Sequence, residues 1–265
     1  MKPASLVIVG TGICAARHMS IEAIAAIQSA GKVFYVTADT EAERLVRDLN
    51  SRSESLMPLY ADRKARKTTY AEMVEKILSS VYAGVETCVV LYGHPGVFAY
   101  PAHEAMRRAR LEGYHAVMQP GISAQDCLFA DLGIDPGTSG CQSYEATDFL
   151  INQRVADPES HLILWQIGVI GDTTHRIGKH DLRALPQLVD RLTRLYTSSH
   201  IVTIYEAGVR IDASPNIFRL PLPDITPEQV TPASTLYIPP KTPFTPAQGL
   251  EQRHVFSTEQ GIIHE

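Results

Sequence analysis

The strongest constraint on this chain is a unit that occurs three times: an apolar run, a Gly-containing loop and then a helix start. Its central copy begins with Thr87-Cys88-Val89-Val90-Leu91, apolar enough to be a strand buried on both faces. Tyr92-Gly93-His94-Pro95-Gly96-Val97-Phe98 follows, and Pro101 then marks the first turn of a helix over 101–112. The other copies are Ser5-Leu6-Val7-Ile8-Val9 with Gly10-Thr11-Gly12, and Tyr114-His115-Ala116-Val117-Met118 with Pro120-Gly121-Ile122-Ser123-Ala124. Open α/β sheets place ligands beyond the carboxyl ends of their strands, where such loops lie. Taken singly, each loop is only a tight βα connection; three together point to a ligand cleft.

The turn at Gly10 also fits the G-x-G-x-x-A dinucleotide fingerprint when extended to Ala15. That motif needs a helix to open within it, so that pyrophosphate meets the helix N-terminus. Here the best N-cap is Ser20, and the residues between, 13–20, read as loop. An NAD-dependent reductase is therefore disfavoured. No Walker sequence, serine-hydrolase elbow or cysteine-nucleophile context appears, and the ten histidines show no paired metal spacing.

The remaining elements follow from periodicity. Helices are expected from Ile21 to a stop at Gly31, over Thr40–Leu49 and over 68–82, with strands over Lys32–Val36 and 114–118. The polar stretch 50–67 between the second and third helices reads as one long loop, holding Tyr60 and the basic run Arg63-Lys64-Ala65-Arg66-Lys67. Ser123 and Asp126 have capping-box spacing, so Ser123 caps a helix reaching Leu132. Beyond Pro136-Gly137 come strands over 143–146, 161–166, 200–208, 217–220 and 234–238, with one helix over 185–196. The expected fold is α/β in two parts: an N-terminal βα domain with a parallel sheet, 1–119, and a C-terminal α+β domain with a mixed sheet, 120–241. Residues 242–265, rich in Thr, Pro and Gln, read as a polar tail.

A net charge of −5 excludes a nucleic-acid or anionic-membrane surface as the leading reading. No apolar run approaches the ~20 residues of a membrane span. Cys88 and Cys127 lie in apolar runs and read as reduced core residues. With no signal-peptide pattern at the start, a cytoplasmic location is expected. The candidate ligand loops then include Gln166-Ile167-Gly168, Tyr205-Glu206-Ala207 and Ser234-Thr235. None supplies a cation, so the ligand is expected to be polar but not polyanionic. Arg66 and Tyr70 stand four apart, so a helix beginning by Arg66 would point both the same way; by spacing alone they are a surface Arg stacked on a Tyr.

These residues resemble the tetrapyrrole-methylase superfamily of S-adenosylmethionine-dependent methyltransferases. Within it, Tyr92-Gly93-His94-Pro95-Gly96-Val97-Phe98, Pro120-Gly121-Ile122-Ser123-Ala124, Cys127-Leu128-Phe129-Ala130-Asp131-Leu132, Asp135-Pro136 and Tyr144-Glu145-Ala146 resemble the borosin peptide α-N-methyltransferases. The likeness runs from Val9 to about Lys241. His94 stands where tetrapyrrole methylases usually carry Asp, which favours the borosin branch. The resemblance implies iterative methylation of backbone amides in a ribosomal precursor peptide, with S-adenosylmethionine as donor in the cleft between the two domains. It also implies a homodimer whose subunits clasp one another. The polar tail has no apolar core-peptide stretch, so a split arrangement is expected, with a separate precursor protein in a 2:2 heterotetramer.

By the same resemblance Arg66, Tyr70 and Tyr92 are the catalytic residues, and Tyr60 is an additional wall of the site. A peptide nitrogen has its lone pair delocalised into the carbonyl. A guanidinium near the amide oxygen would stabilise imidate-like charge, and a phenol whose pKa that guanidinium lowers could take the N–H proton. The resemblance assigns the donor to Tyr92, His94, Val97, Ser123, Ala124, Gln166, Ser234 and Thr235, with a contact around Tyr205 and Ala207. His94 is expected as a donor contact rather than the general base. No metal is implied. The alternatives are a C-methyltransferase of a corrin or porphyrin precursor and a non-catalytic module binding donor or peptide. The first would want a basic cleft; the joint presence of Arg66, Tyr70 and Tyr92 argues against the second.

Overall fold

A computed structural model describes residues 5–176 and 180–242. The first half builds on β1 (Ser5–Gly10), β2 (Lys32–Val36), β3 (Ser53–Ser55), β4 (Thr87–Leu91) and β5 (His115–Met118), all parallel in the order β3-β2-β4-β1-β5. β1 and β4 are central, and their apolar runs are buried on both faces, as parallel strands require. On one face α2 (Ile21–Ser29) and α3 (Thr40–Leu49) cover Val9, Val33, Tyr35 and Val90. On the other, α4 (Arg66–Tyr82) and α5 (Tyr100–Leu111) cover Leu6, Ile8, Phe34 and Val89. The chain leaves β1 towards β2 and leaves β4 towards β5, on opposite sides. The loops at the ends of these neighbouring strands therefore meet at a switch point.

The second half holds β6 (Cys141–Glu145), β7 (His161–Trp165), β8 (Ile201–Glu206), β9 (Asn216–Pro221) and β10 (Thr235–Ile238) in the order β6-β7-β10-β8-β9. Only β6 and β7 are parallel, so the sheet is mixed. α7 (Ala146–Ile151) and α8 (Leu185–Leu195) pack on one face around Phe149, Leu188 and Leu192. α6 (Ala124–Leu132), which follows β5, packs Leu128 against Ile163, Trp165, Tyr205 and Tyr237 on the other.

Four expectations are corrected. The stretch 13–20 is not all loop: α1 (Ala15–His18) forms a single turn there. The stretch 50–67 contains β3, which pairs with β2, and a 3₁₀ turn over Met57–Leu59. β3 is an edge strand of three polar residues with no apolar alternation to betray it. Residues 146–151 form a helix because the Glu145 carboxylate accepts from the Asp148 N–H at 2.7 Å, ending the strand one residue earlier than expected. α4 begins at Arg66, two residues before the expected start. The Ser123 capping box forms. All four cysteines are free, with Cys88 buried and Cys127 only partly so. Among the described residues no helix is long and apolar enough to cross a membrane, and no group of three His, Cys, Asp or Glu could hold a metal. Nearly all of the tail over 242–265 lies outside the described residues.

His161 is 8% exposed, and its Nδ1 shares a 2.7 Å hydrogen bond with the Tyr237 hydroxyl. Burial holds its pKa below the ordinary 6.5, so folding favours the neutral ring. Its contribution is complete above that value and is lost as pH falls and the unfolded chain takes up the proton. Melting temperature should therefore drop as pH falls below about 6.5, and less steeply in His161→Phe. Parallel slopes for the two proteins would remove His161 from the acid response.

Candidate functional site

Loops 10–12, 92–98 and 120–124 interlock through their glycines. Thr11 donates to Leu91 O at 2.8 Å, while Gly12 and Gly93 exchange backbone hydrogen bonds of 3.2 and 3.0 Å. A Cβ on Gly10 would lie 2.1 Å from Gly93 O, and one on Gly12 would lie 2.2 Å from the His18 Cβ. The space that a side chain on Gly10 or Gly12 would need is thus filled by protein atoms. A Cβ on Gly121 would lie 3.3 Å from the Pro95 Cδ.

Beneath these loops lies a cavity of about 310 Å³. Its far wall comes from the second sheet, through Trp165 at the end of β7, Gln166 just after it and Thr235 at the start of β10. Tyr60 and Tyr70 close the end nearest α4. Of the residues expected at a site, Tyr70, Tyr92, His94, Val97, Ser123, Ala124, Gln166 and Thr235 all line this one cavity. Arg66 stands one turn before Tyr70 on α4, outside the lining, yet near enough for its charge to act on the Tyr60 phenol. The neighbouring carboxylates pair with flanking bases, Asp62 with Arg63 and Glu72 with Lys64.

Three expected donor contacts sit behind the wall. Tyr205 is 1% exposed and donates its hydroxyl to Asp131 Oδ2 at 2.7 Å. Ala207 packs at the edge of the α6 cluster. Ser234 is fully buried and donates to Glu206 Oε1 while accepting from the Thr231 N–H at 2.8 Å. Ser234 thereby shapes the 231–235 turn that presents Thr235. A Cβ on Gly168 would lie 1.8 Å from Thr231 O, so this turn in turn packs on the one after β7.

Gln166 has φ 61°, left-handed for a non-glycine residue. Such a conformation costs on the order of 1 kcal/mol and persists only where the surroundings impose it. Here it ends β7 abruptly and places the side-chain amide on the cavity. His94 Nδ1 accepts from the Gly96 N–H at 3.0 Å. In the neutral ring Nε2 must then carry the proton, which makes His94 a donor rather than a base. Ser123 keeps its capping role, with Oγ donating to Asp126 Oδ2 at 2.7 Å, and also faces the cavity.

Two of the lining phenols, Tyr92 and Tyr60, have raised pKa values. Burial pushes Tyr92 up to about 12, with the Cys127 and Asp39 side chains adding to the rise. Burial and the adjacent Tyr70 push Tyr60 up to about 12, and the opposing pull of Arg66 is outweighed. Both remain protonated at neutral pH and serve as hydrogen-bond donors.

Two lining aromatics escaped sequence reasoning as site residues. Phe98, at φ 51°, reaches across to Trp165 with ring centroids 6.2 Å apart, and the Trp165 indole N–H donates to Ser143 Oγ at 2.5 Å. Phe98 lies in the loop that was singled out, but nothing in an apolar strand such as β7 marks which residue turns into a cavity.

The chain belongs to the tetrapyrrole (corrin/porphyrin) methylases, whose family pattern matches residues 5–222. Within that family its relatives include methyltransferase/borosin cyclic peptide precursor proteins. One, a methyltransferase/ribosomally synthesized type I borosin cyclic peptide precursor of Coprinopsis marcescibilis, is 42% identical over 91% of this chain and 63% of its own length. The dendrothelin A precursor of Dendrothele bispora is 43% identical over 91% of this chain and 58% of its own. The omphalotin A precursor of Omphalotus olearius is 41% identical over the same shares, 91% and 58%. The chain therefore spans about 58–63% of these relatives' lengths. Among solved structures, uroporphyrin-III-C-methyltransferase from Thermus thermophilus shares the fold with TM-score 0.64 at 14% identity, covering 90% of this chain and 93% of that one. A cobalamin-biosynthesis precorrin-6Y methylase from Archaeoglobus fulgidus does so at 0.59 and 15%, covering 90% and 98%.

Proposed function

We propose that the protein is an S-adenosylmethionine-dependent N-methyltransferase acting on backbone amides of a ribosomal precursor peptide supplied by a separate chain. It works as a homodimer, and with its precursor forms a 2:2 assembly. The observation that carries this reading is the division of one cavity into two ends. One end is backbone loop, amide and hydroxyl; the other is a cluster of phenols within reach of the Arg66 charge. The names of the relatives at 41–43% identity support the same chemistry.

The lining suits the donor. It carries no Lys, Arg, Asp or Glu, and so fits a polar, zwitterionic nucleoside better than a polyphosphate. Loop 92–97, Ser123, Ala124, Gln166 and Thr235 would hold it, and it supplies an electrophilic methyl group on a sulfonium that leaves as a neutral thioether. At the acceptor, the Arg66 guanidinium stabilises negative charge on the amide oxygen, and the Tyr92 and Tyr60 phenols donate hydrogen bonds. Tyr70, in its phenolate form, takes the N–H proton and becomes the neutral phenol as the nitrogen–carbon bond forms. Phe98 and Trp165 exclude water from the reacting atoms.

The fold is shared with enzymes of tetrapyrrole precursors, which makes a C-methyltransferase the second reading. Those precursors carry several carboxylates, and the lining has no cation to receive them. Incubating the protein with S-adenosylmethionine and candidate precursor peptides should give successive mass gains of one CH2 unit, localised to backbone amides by fragmentation. Methylation of a corrin or porphyrin precursor, with every peptide unchanged, would replace the proposal.

A further inference from the structure

The segment 172–176, between β7 and α8, has no part in the cavity lining, yet it grips the elements that carry the phenols. Thr173 O accepts from the Arg66 N–H at 3.1 Å, and Ala65 and Thr174 form an antiparallel bridge. The His175 N–H donates to Lys64 O at 2.9 Å, and the Arg63 N–H donates to His175 O at 2.7 Å. A piece of β-ladder therefore ties the second half of the chain to the residues just before α4. Arg63 holds φ 59° at this junction, a conformation that L side chains adopt only when constrained.

Two side chains complete the grip. Asp172 is 9% exposed; its Oδ1 accepts from the Thr174 N–H at 2.9 Å and the Thr174 hydroxyl at 2.7 Å, and its Oδ2 pairs with Arg176 Nε at 2.6 Å. The carboxylate thus folds the segment into its turn. The His175 ring packs on Tyr60, centroids 4.7 Å apart and tilted by 41°. Tyr60 lines the cavity and adjoins Tyr70, one turn from Arg66.

We propose that 172–176 is a strap that positions the head of α4 for methyl transfer, with His175 as the positioning residue that seats Tyr60 against Tyr70. This rests on the function proposed above. Without the ring of His175, Tyr60 has room to tilt away from the acceptor end, while the donor end is untouched. Without the carboxylate of Asp172, the ladder at 63–66 loosens and Arg66 loses its register.

The test compares wild type, His175→Ala, His175→Phe and Asp172→Ala by single-turnover methylation of a precursor peptide, with S-adenosylhomocysteine affinity by calorimetry and amide hydrogen exchange alongside. His175→Ala should slow methyl transfer about 10- to 100-fold, the scale of a misplacement near 1 Å, and leave nucleoside affinity within about twofold. His175→Phe, which keeps a ring at the same place, should recover most of the rate. Asp172→Ala should speed exchange at the Arg63, Arg66 and His175 amides and leave those of β4 protected. Turnover in His175→Ala equal to wild type, or His175→Phe as slow as His175→Ala, overturns the strap and leaves the proposed function standing. A wild type that methylates no peptide overturns the proposed function and the strap with it.

Discussion

Tyr70→Phe is expected to leave the fold and nucleoside binding intact while peptide methylation falls by about 10²–10⁴, the usual yield of a positioned acid–base group. The loss should appear in the single-turnover rate and not in the affinity for S-adenosylhomocysteine, because Tyr70 stands at the α4 end of the cavity and the loops at the other. Tyr92 and Tyr60 cannot substitute, since burial keeps both phenols near 12 and protonated. Removing the Arg66 charge, as in Arg66→Gln, should cost about 10²–10³, the range for losing one electrostatic stabiliser of developing oxyanion charge. Arg66→Lys should recover only part of that, because an ammonium offers a point charge where the guanidinium offers a planar fork. Unchanged turnover in Tyr70→Phe would take Tyr70 out of the reaction and leave the proton to another acceptor.

Much of this geometry was legible in the sequence, and the reasons are specific. β1 and β4 announce themselves because a parallel strand between two helical layers must be apolar throughout. The loops after them were legible through Gly and Pro, and the Ser123 box through its spacing to Asp126. Apart from Tyr60 and Tyr70, the expected site residues that line the cavity each lie at the carboxyl end of a strand or in the turn entering a helix or strand. Position in the fold marks them before chemistry does. What stayed hidden was of another kind. β3 is three polar residues at a sheet edge, stable only because β2 lies beside it. The strap at 172–176 is polar and irregular, and it meets residues 63–66 at a separation of about a hundred positions, with no periodicity to read.

The phenol pKa values were hidden for the same reason. The expectation of a phenol pKa lowered by Arg66 came with the family resemblance and concerned its partner Tyr70, not Tyr60. Desolvation, which sequence does not display, outweighs that charge at Tyr60. The three expected contacts at Tyr205, Ala207 and Ser234 show the converse. The Tyr205 and Ser234 hydroxyls are taken up by hydrogen bonds to Asp131 and Glu206, and Ala207 by packing beside α6. In a strand a shift of one residue reverses the face, so a motif located within two residues still leaves its contacts undetermined.

Gly10→Ala should be severely damaging for the change of a single methyl group. The added Cβ would lie 2.1 Å from Gly93 O and 2.8 Å from the Pro95 Cδ, and Gly93 O already accepts the Gly12 N–H. Neither a backbone carbonyl nor a proline ring can swing aside, so the bridge between the loops must open. Overpacking of this kind, with a hydrogen bond lost, costs about 3 kcal/mol or more. Gly84→Ala provides the comparison: it has φ 85° but nothing within 4 Å of an added Cβ, so it carries conformational strain alone, about 1 kcal/mol. The denaturant midpoint of Gly10→Ala should therefore fall clearly below that of Gly84→Ala, and binding of S-adenosylhomocysteine should weaken as loop 92–97 moves. The dinucleotide-fingerprint view of the same glycine predicts otherwise. A residue kept small only to admit a ligand would lose affinity on gaining a methyl group and keep its stability. A stable Gly10→Ala protein that no longer binds the nucleoside would show that Gly10 faces the ligand; an unstable one would show that it joins the first and second of the three loops.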